Sequence, residues 1–130
     1  MWIFTQSGFI SAVRHYSQPK TIVVRARDRE SLEVLATATN AAVQQTPVND
    51  YPYRVHVSQE DFSNWLLNCI DSLDYTNFKD RVHDTRGDNF ASTLMSVWET
   101  MHDVEDDDAR TRWSARELMT NGGLPPKKRK

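Results

Sequence analysis

Between Ser58 and Val82 the hydrophobic positions fall on one helical face. Phe62, Trp65, Leu66, Cys69, Ile70 and Leu73 follow one another at offsets of 3, 4, 7, 8 and 11 from the first, the spacing of a single stripe on an α-helix. Gln59, Ser63, Asn64, Asn68 and Asp71 occupy the opposite, polar face. Ser58 followed by Asp61 reads as an N-cap, because a serine hydroxyl can satisfy a free N–H three residues on. Asp74 is expected to cap a second, shorter helix whose stripe is Tyr75, Phe78 and Val82, with the two aromatics packed at the corner between the helices.

Upstream the period changes from helical to two. Trp2, Ile3 and Phe4 favour a strand, Gln6-Ser7-Gly8 a turn, and Phe9 to Tyr16 a returning strand, so the first sixteen residues read as a hairpin. Thr21 to Arg27 alternates, with Ile22, Val24 and Ala26 on one face and Val23, Arg25 and Arg27 on the other. A helix follows, capped by Asp28 or Ser31, with Leu32, Leu35, Thr39, Ala42 and Val43 as its stripe. Gln44 to Pro52 reads as a loop because of its prolines and Asn49-Asp50. Tyr53 to Val57 alternates again, Tyr53, Val55 and Val57 facing in, Arg54 and His56 facing out. Past Gly87, a helix capped by Asp88 carries Phe90, Leu94, Val97, Trp98 and Met101, and a last helix spans 109–120 with Trp113, Leu118 and Met119.

These elements predict an α+β fold: a sheet of about four strands, antiparallel or mixed, with helices on one face, in the neighbourhood of ferredoxin-like sandwiches. A chain of 130 residues suits one domain, expected over 1–120, with 103–120 as a helical extension and 121–130 as a disordered basic tail.

Composition narrows the class. No apolar run approaches the roughly 18–20 residues that span a bilayer, and the N-terminus lacks the basic region and cleavage site of a signal peptide. Cys69 is the one cysteine, which excludes an internal disulfide and suits a reducing compartment, so the expected location is cytoplasmic. The charge is uneven. There are 16 Lys and Arg against 18 Asp and Glu, and Lys127, Lys128, Arg129 and Lys130 hold four of the 16, so the remainder stands at 12 against 18, net −6. An acidic body carrying a basic tail differs physically from a neutral chain.

Several segments in combination resemble a small family of uncharacterised bacterial and phage-type proteins. They are Met1-Trp2-Ile3-Phe4-Thr5 with Gly8-Phe9 and Ser11, then Val24-Arg25-Ala26-Arg27, Asp50-Tyr51-Pro52-Tyr53-Arg54, Asp74-Tyr75-Thr76-Asn77-Phe78-Lys79 and Val97-Trp98. The resemblance covers about residues 1–101 and implies a prokaryotic origin and a shared fold, with no established activity; 103–130 lies outside it.

The sequence carries none of the common catalytic or metal-binding signatures. His15, His56, His83 and His102 show no H-x-x-H or H-E-x-x-H spacing, and no C-x-x-C is present. There is no G-x-S-x-G elbow, Cys69 lies in an apolar stripe where a thiol is usually inert, and the four glycines form no phosphate-cradling loop. The expectation is a non-enzymatic protein without cofactor or metal. Two binding features remain. Asp103, Glu105, Asp106, Asp107 and Asp108 form an acidic patch able to mimic nucleic acid towards a protein partner. Arg25, Arg27, Arg54 and His56 share the outward sheet face if their strands are neighbours, with Arg14 and Tyr16 as further candidates from the hairpin. With the tail Lys127, Lys128, Arg129 and Lys130 they would suit phosphate backbones and bases. The ordinary alternative for that face is a polar surface neutralised by nearby acids. The tail resembles a nuclear-import signal, although the resemblance of the body is prokaryotic. The first functional expectation is therefore a small phage or mobile-element interaction protein that modulates a host complex, for example by inhibiting a defence nuclease. The second is a nucleic-acid-binding accessory protein.

Overall fold

The computed structural model describes residues 1–106; the expected helix at 109–120 and the tail lie outside the described residues. The chain divides after Ser92 into two units, the first Met1–Ser92 and the second described over 93–106. In order, the elements are β1 (Trp2–Thr5), β2 (Gly8–Arg14), β3 (Thr21–Ala26), α1 (Glu30–Thr39), β4 (Gln44–Gln45), β5 (Tyr53–Ser58), α2 (Gln59–Asp71), α3 (Phe78–Arg86) and α4 (Asp88–Met101), followed by a 3-10 turn at His102–Val104. The fold is α+β.

The sheet has the order β1-β2-β3-β5-β4, and every neighbouring pair is antiparallel. The fifth strand is the two-residue β4, which pairs Gln44 and Gln45 with Arg54 and Tyr53 inside the stretch expected to be a loop. α1 and the short β4 together connect β3 to its own antiparallel neighbour β5. A ferredoxin-like unit would instead send the helix to a parallel strand one place further along, so that part of the expectation is corrected.

Alternation sorts the side chains as the sequence implies. Ile10, Ala12, Val24, Ala26, Val55 and Val57 face α1 and α2 and form one core with Leu32, Leu35, Ala36, Phe62 and Trp65. Val24, Leu32, Leu35 and Val55 are fully buried, and each such side chain contributes about 1.5–3 kcal/mol relative to exposure. Phe62 and Trp65 stack at 5.9 Å and fix α2 on the sheet. The Ser58 cap forms as expected, its Oγ accepting from Asp61 N–H at 3.0 Å.

Several local expectations are corrected. α1 has no side-chain cap. Its N-cap is Arg29, while the Ser31 hydroxyl donates to Asp28 at 2.5 Å. The helix stops at Thr39, because Asn40 turns left-handed (φ 52°) and returns its N–H to Ala36 and Thr37; Ala42 and Val43 are therefore not helical. α3 is capped by Asn77, which accepts from Asp80 N–H at 3.1 Å, whereas Asp74 pairs with Arg81 at 2.9 Å. Tyr75 and Phe78 are half-buried rather than core; their rings lie 6.3 Å apart, and the Arg81 guanidinium sits 5.1 Å from the Tyr75 ring. The last turn of the α2 stripe is exposed, Ile70 at 62% and Leu73 at 54%.

One polar cluster ties the end of α3 to the first hairpin. Arg86, with a side chain only 6% exposed, donates to Ser7 C=O at 2.7 Å, to Ser31 Oγ at 3.2 Å and to Asp28. Its Nε lies 3.2 Å from Glu30, close enough for ionic attraction but not aligned as a hydrogen bond. Ser31 Oγ also accepts from Phe9 N–H at 3.2 Å. Gly8 lies against this cluster with φ +148°, and a Cβ there would come 2.6 Å from Arg86 Nη1 and 2.7 Å from Ser31 Cβ. Only glycine fits.

Candidate functional site

The sheet face opposite the helices carries the candidate chemistry. The register aligns one rung across it: Trp2 of β1 opposite Ser11, Ser11 opposite Arg25, and Arg25 opposite Arg54. With strands about 4.8 Å apart, these side chains lie in a row. Phe4 and Phe9 pair on one side of the rung, and Val13, Val23 and His56 on the other.

Ser11 is buried beneath this row and accepts a hydrogen bond from Arg25 Nη2 at 2.9 Å. Tyr51, in the loop between β4 and β5, folds onto the face and is only 7% exposed. The Arg25 and Arg27 guanidiniums each lie 4.8 Å from its ring, a cation–π arrangement that stiffens both arginines. Trp2 stands edge-on to Phe9 at 5.6 Å, and Phe4 stacks on Phe9 at 4.7 Å. Trp2 nevertheless remains 70% exposed, so its outer ring face is open to solvent.

Arg27 and the Arg25–Arg54 pair differ electrostatically. Arg27 reaches Asp50, 2.7 Å from its Oδ1, and that hydrogen bond with its charge raises the guanidinium pKa further. The neutralised-surface alternative therefore describes Arg27, while Arg25 and Arg54 only share a concavity with Asp50 and form no ion pair with it. Among the described residues neither Arg25 nor Arg54 has a carboxylate partner, and the Nε of each is buried without a hydrogen-bond partner. Like charges directly opposite on neighbouring strands are destabilising; at about 5 Å in water the repulsion is roughly 1 kcal/mol. An anion laid across the pair removes that cost.

His56 lies on the next rung, its ring 5.6 Å from His15, and His15 stacks on Tyr16 at 4.7 Å. Tyr16 is 96% exposed. Arg14 does not join this face. It donates to Pro19 C=O and, at 3.1 Å, to Gln59 Oε1, which turns it towards the start of α2.

Of the acidic patch, Asp103 lies in the 3-10 turn and Glu105 and Asp106 follow it; Glu105 pairs with His102. Asp107, Asp108, Lys127, Lys128, Arg129 and Lys130 lie outside the described residues. Among the described residues no group of His, Cys, Asp and Glu is arranged to hold a metal ion, and no helix is long and apolar enough to cross a membrane.

Sequence reasoning marked Trp2 only as a hint of an interface if exposed, and did not place Trp2, Ser11 or Tyr51 on this face. The hairpin turn held the signal for the first two. A two-residue Gln6–Ser7 connection sets Trp2 opposite Ser11, and shifting one strand by a residue exchanges the faces. Tyr51 carried no comparable signal, since it sits in a loop.

Comparison with known proteins gives no match to a family model, a curated protein or a solved structure. The functional reading therefore rests on this geometry.

Proposed function

We propose that the protein binds single-stranded nucleic acid on the open face of its sheet, without catalysing a reaction. The observation that carries this reading is the Arg25–Arg54 pair, two guanidiniums on one rung that form no ion pair with a carboxylate among the described residues, flanked by the exposed Trp2 ring and by Tyr51. Phosphates are attracted by paired guanidiniums, and bases stack on exposed aromatic rings in a sequence-tolerant way. A shallow sheet face suits an unpaired strand, whose bases can splay, better than a stiff duplex. The basic residues Lys127, Lys128, Arg129 and Lys130 would add salt-sensitive affinity without specificity. The resemblance to bacterial and phage-type proteins suggests a host cytoplasm as the setting.

The test is fluorescence anisotropy of a labelled single-stranded oligonucleotide over a salt series. Binding that weakens steeply with salt, and more weakly for a duplex of the same sequence, supports the reading. A flat salt response overturns it.

A second reading, a protein-interaction module acting on a host complex such as a defence nuclease, is favoured by a different observation. Val34, Ile70 and Leu73 are at least half exposed and border an apolar groove with Ile3, Trp65 and Leu66. The acidic residues Asp103, Glu105 and Asp106 are its other candidate contacts. Capture of a stoichiometric protein that survives nuclease treatment, and is lost in an Ile70→Asp variant, would support it over the first.

A further inference from the structure

We infer that the site is built as two adjacent nucleotide seats sharing one phosphate position, so that its smallest full ligand is a dinucleotide with its bridging phosphate over Arg25 and Arg54. The inference rests on the single-strand reading and specifies its ligand.

Two shallow concavities lie on the face, and Arg25 and Arg54 line both. The first is completed by Trp2, Asn49, Asp50 and Tyr51. The second is completed by Val13, His15, Tyr16 and His56, with Val23 beneath and Arg14 at its margin. Each has one strongly exposed aromatic, Trp2 at 70% in the first and Tyr16 at 96% in the second. Neither ring belongs to the core. Each is steadied by an aromatic neighbour, Trp2 by Phe9 and Tyr16 by His15, so a base stacking on it meets a surface already oriented.

Charge fixes where the phosphate goes. Asp50 faces the first seat, and although Arg27 holds its carboxylate at 2.7 Å, it disfavours a phosphate beside Trp2. The position common to both seats is the arginine pair. There Arg25 is anchored from below by Ser11 at 2.9 Å and Arg54 has no carboxylate partner among the described residues. A mononucleotide fills one seat and stacks once. A dinucleotide keeps the same anchoring phosphate and stacks twice.

Competition against a labelled oligothymidylate of about ten nucleotides, using the full chain, tests this. The competitors are thymidine 5′-monophosphate and the thymidine dinucleotide joined by one phosphodiester. The dinucleotide carries less charge, yet it should compete roughly five- to a hundredfold better, the worth of one additional stacked base. Tyr16→Ala and Trp2→Leu should each bring it down to the level of the mononucleotide, and the leucine keeps apolar packing on Phe9 so that the hairpin stays folded. Trp2→Phe should retain most of the advantage. If the oligothymidylate binds but the two competitors are equal, or if Tyr16→Ala has no effect, the two-seat inference is overturned while the single-strand reading stands. If the oligothymidylate does not bind, both fail.

Discussion

Arg25 and Arg54 stand directly opposite each other on β3 and β5, two cations on one rung with no carboxylate between them among the described residues. Their near neighbour Arg27 has one, Asp50. In the proposed binding face this difference has a use, because an ion-paired carboxylate on the inner pair would compete with an incoming phosphate. Replacing Arg54 should therefore separate stability from binding. Arg54→Ala is expected to change unfolding free energy by less than about 1 kcal/mol, since loss of packing is offset by relief of repulsion. It should flatten the slope of log affinity against log salt by about 0.7, the effect of one lost contact to a single strand. Urea unfolding and anisotropy over a salt series measure the two quantities.

Arg86 should behave in the opposite way. Its guanidinium bridges Ser7, Ser31 and Asp28 from a nearly closed position, so its removal leaves several partners unsatisfied. Arg86→Ala is expected to lower stability by about 2–4 kcal/mol and to leave nucleotide affinity per folded molecule unchanged. Parallel denaturation and binding curves check it. Equal losses for Arg86→Ala and Arg54→Ala would contradict this division of labour.

Gly8 occupies a backbone region closed to L side chains, and its missing Cβ is the space in which Ser31 and Arg86 meet the hairpin. Gly8→Ala should cost several kcal/mol, on the order of 2–4, combining φ strain with overpacking. A milder outcome, under about 1 kcal/mol by thermal or chemical unfolding, would mean that the hairpin can shift away from α1.

Burial raises the pKa of the Cys69 thiol above its ordinary value. The proton is thus held more tightly in the folded chain than in the unfolded one. Stability from this source is present below the unfolded thiol's pKa and declines as pH rises through and beyond it. Alkylation at neutral pH should be slower than for a free thiol and should accelerate on adding denaturant. Mass spectrometry of iodoacetamide-treated protein over a pH series reads this directly; rapid native-state modification at neutral pH would show that the thiol is not shielded.

Much of the fold is legible from local pattern. The period-two runs 21–27 and 53–57 assign Val24 and Val55 to the core and Arg25, Arg54 and His56 to the outer face, because successive side chains on a strand must point to opposite sides. The Ser58 cap and the Phe62–Trp65 stripe are equally local, since a helix relates residues three and four apart whatever surrounds it. The ends of elements are less legible. Asn40 stops α1 through a left-handed turn, and Asn77 takes the capping role expected of Asp74, because neighbouring polar residues compete for the same free N–H groups and arginine partners.

For the candidate site, the sequence by itself determined which face each arginine takes, and nothing more. Alternation specifies a side of the sheet but not a partner. Which arginine faces which depends on β3–β5 register, and that depends on the path of α1 and of β4 between them. Tertiary structure also decided that Asp50 neutralises Arg27 alone, that Tyr51 folds from its loop onto the face, and that Arg14 turns away to Gln59. Each of these is a contact between residues distant along the chain (or, for Tyr51, placed by a loop), whose geometry no local period encodes.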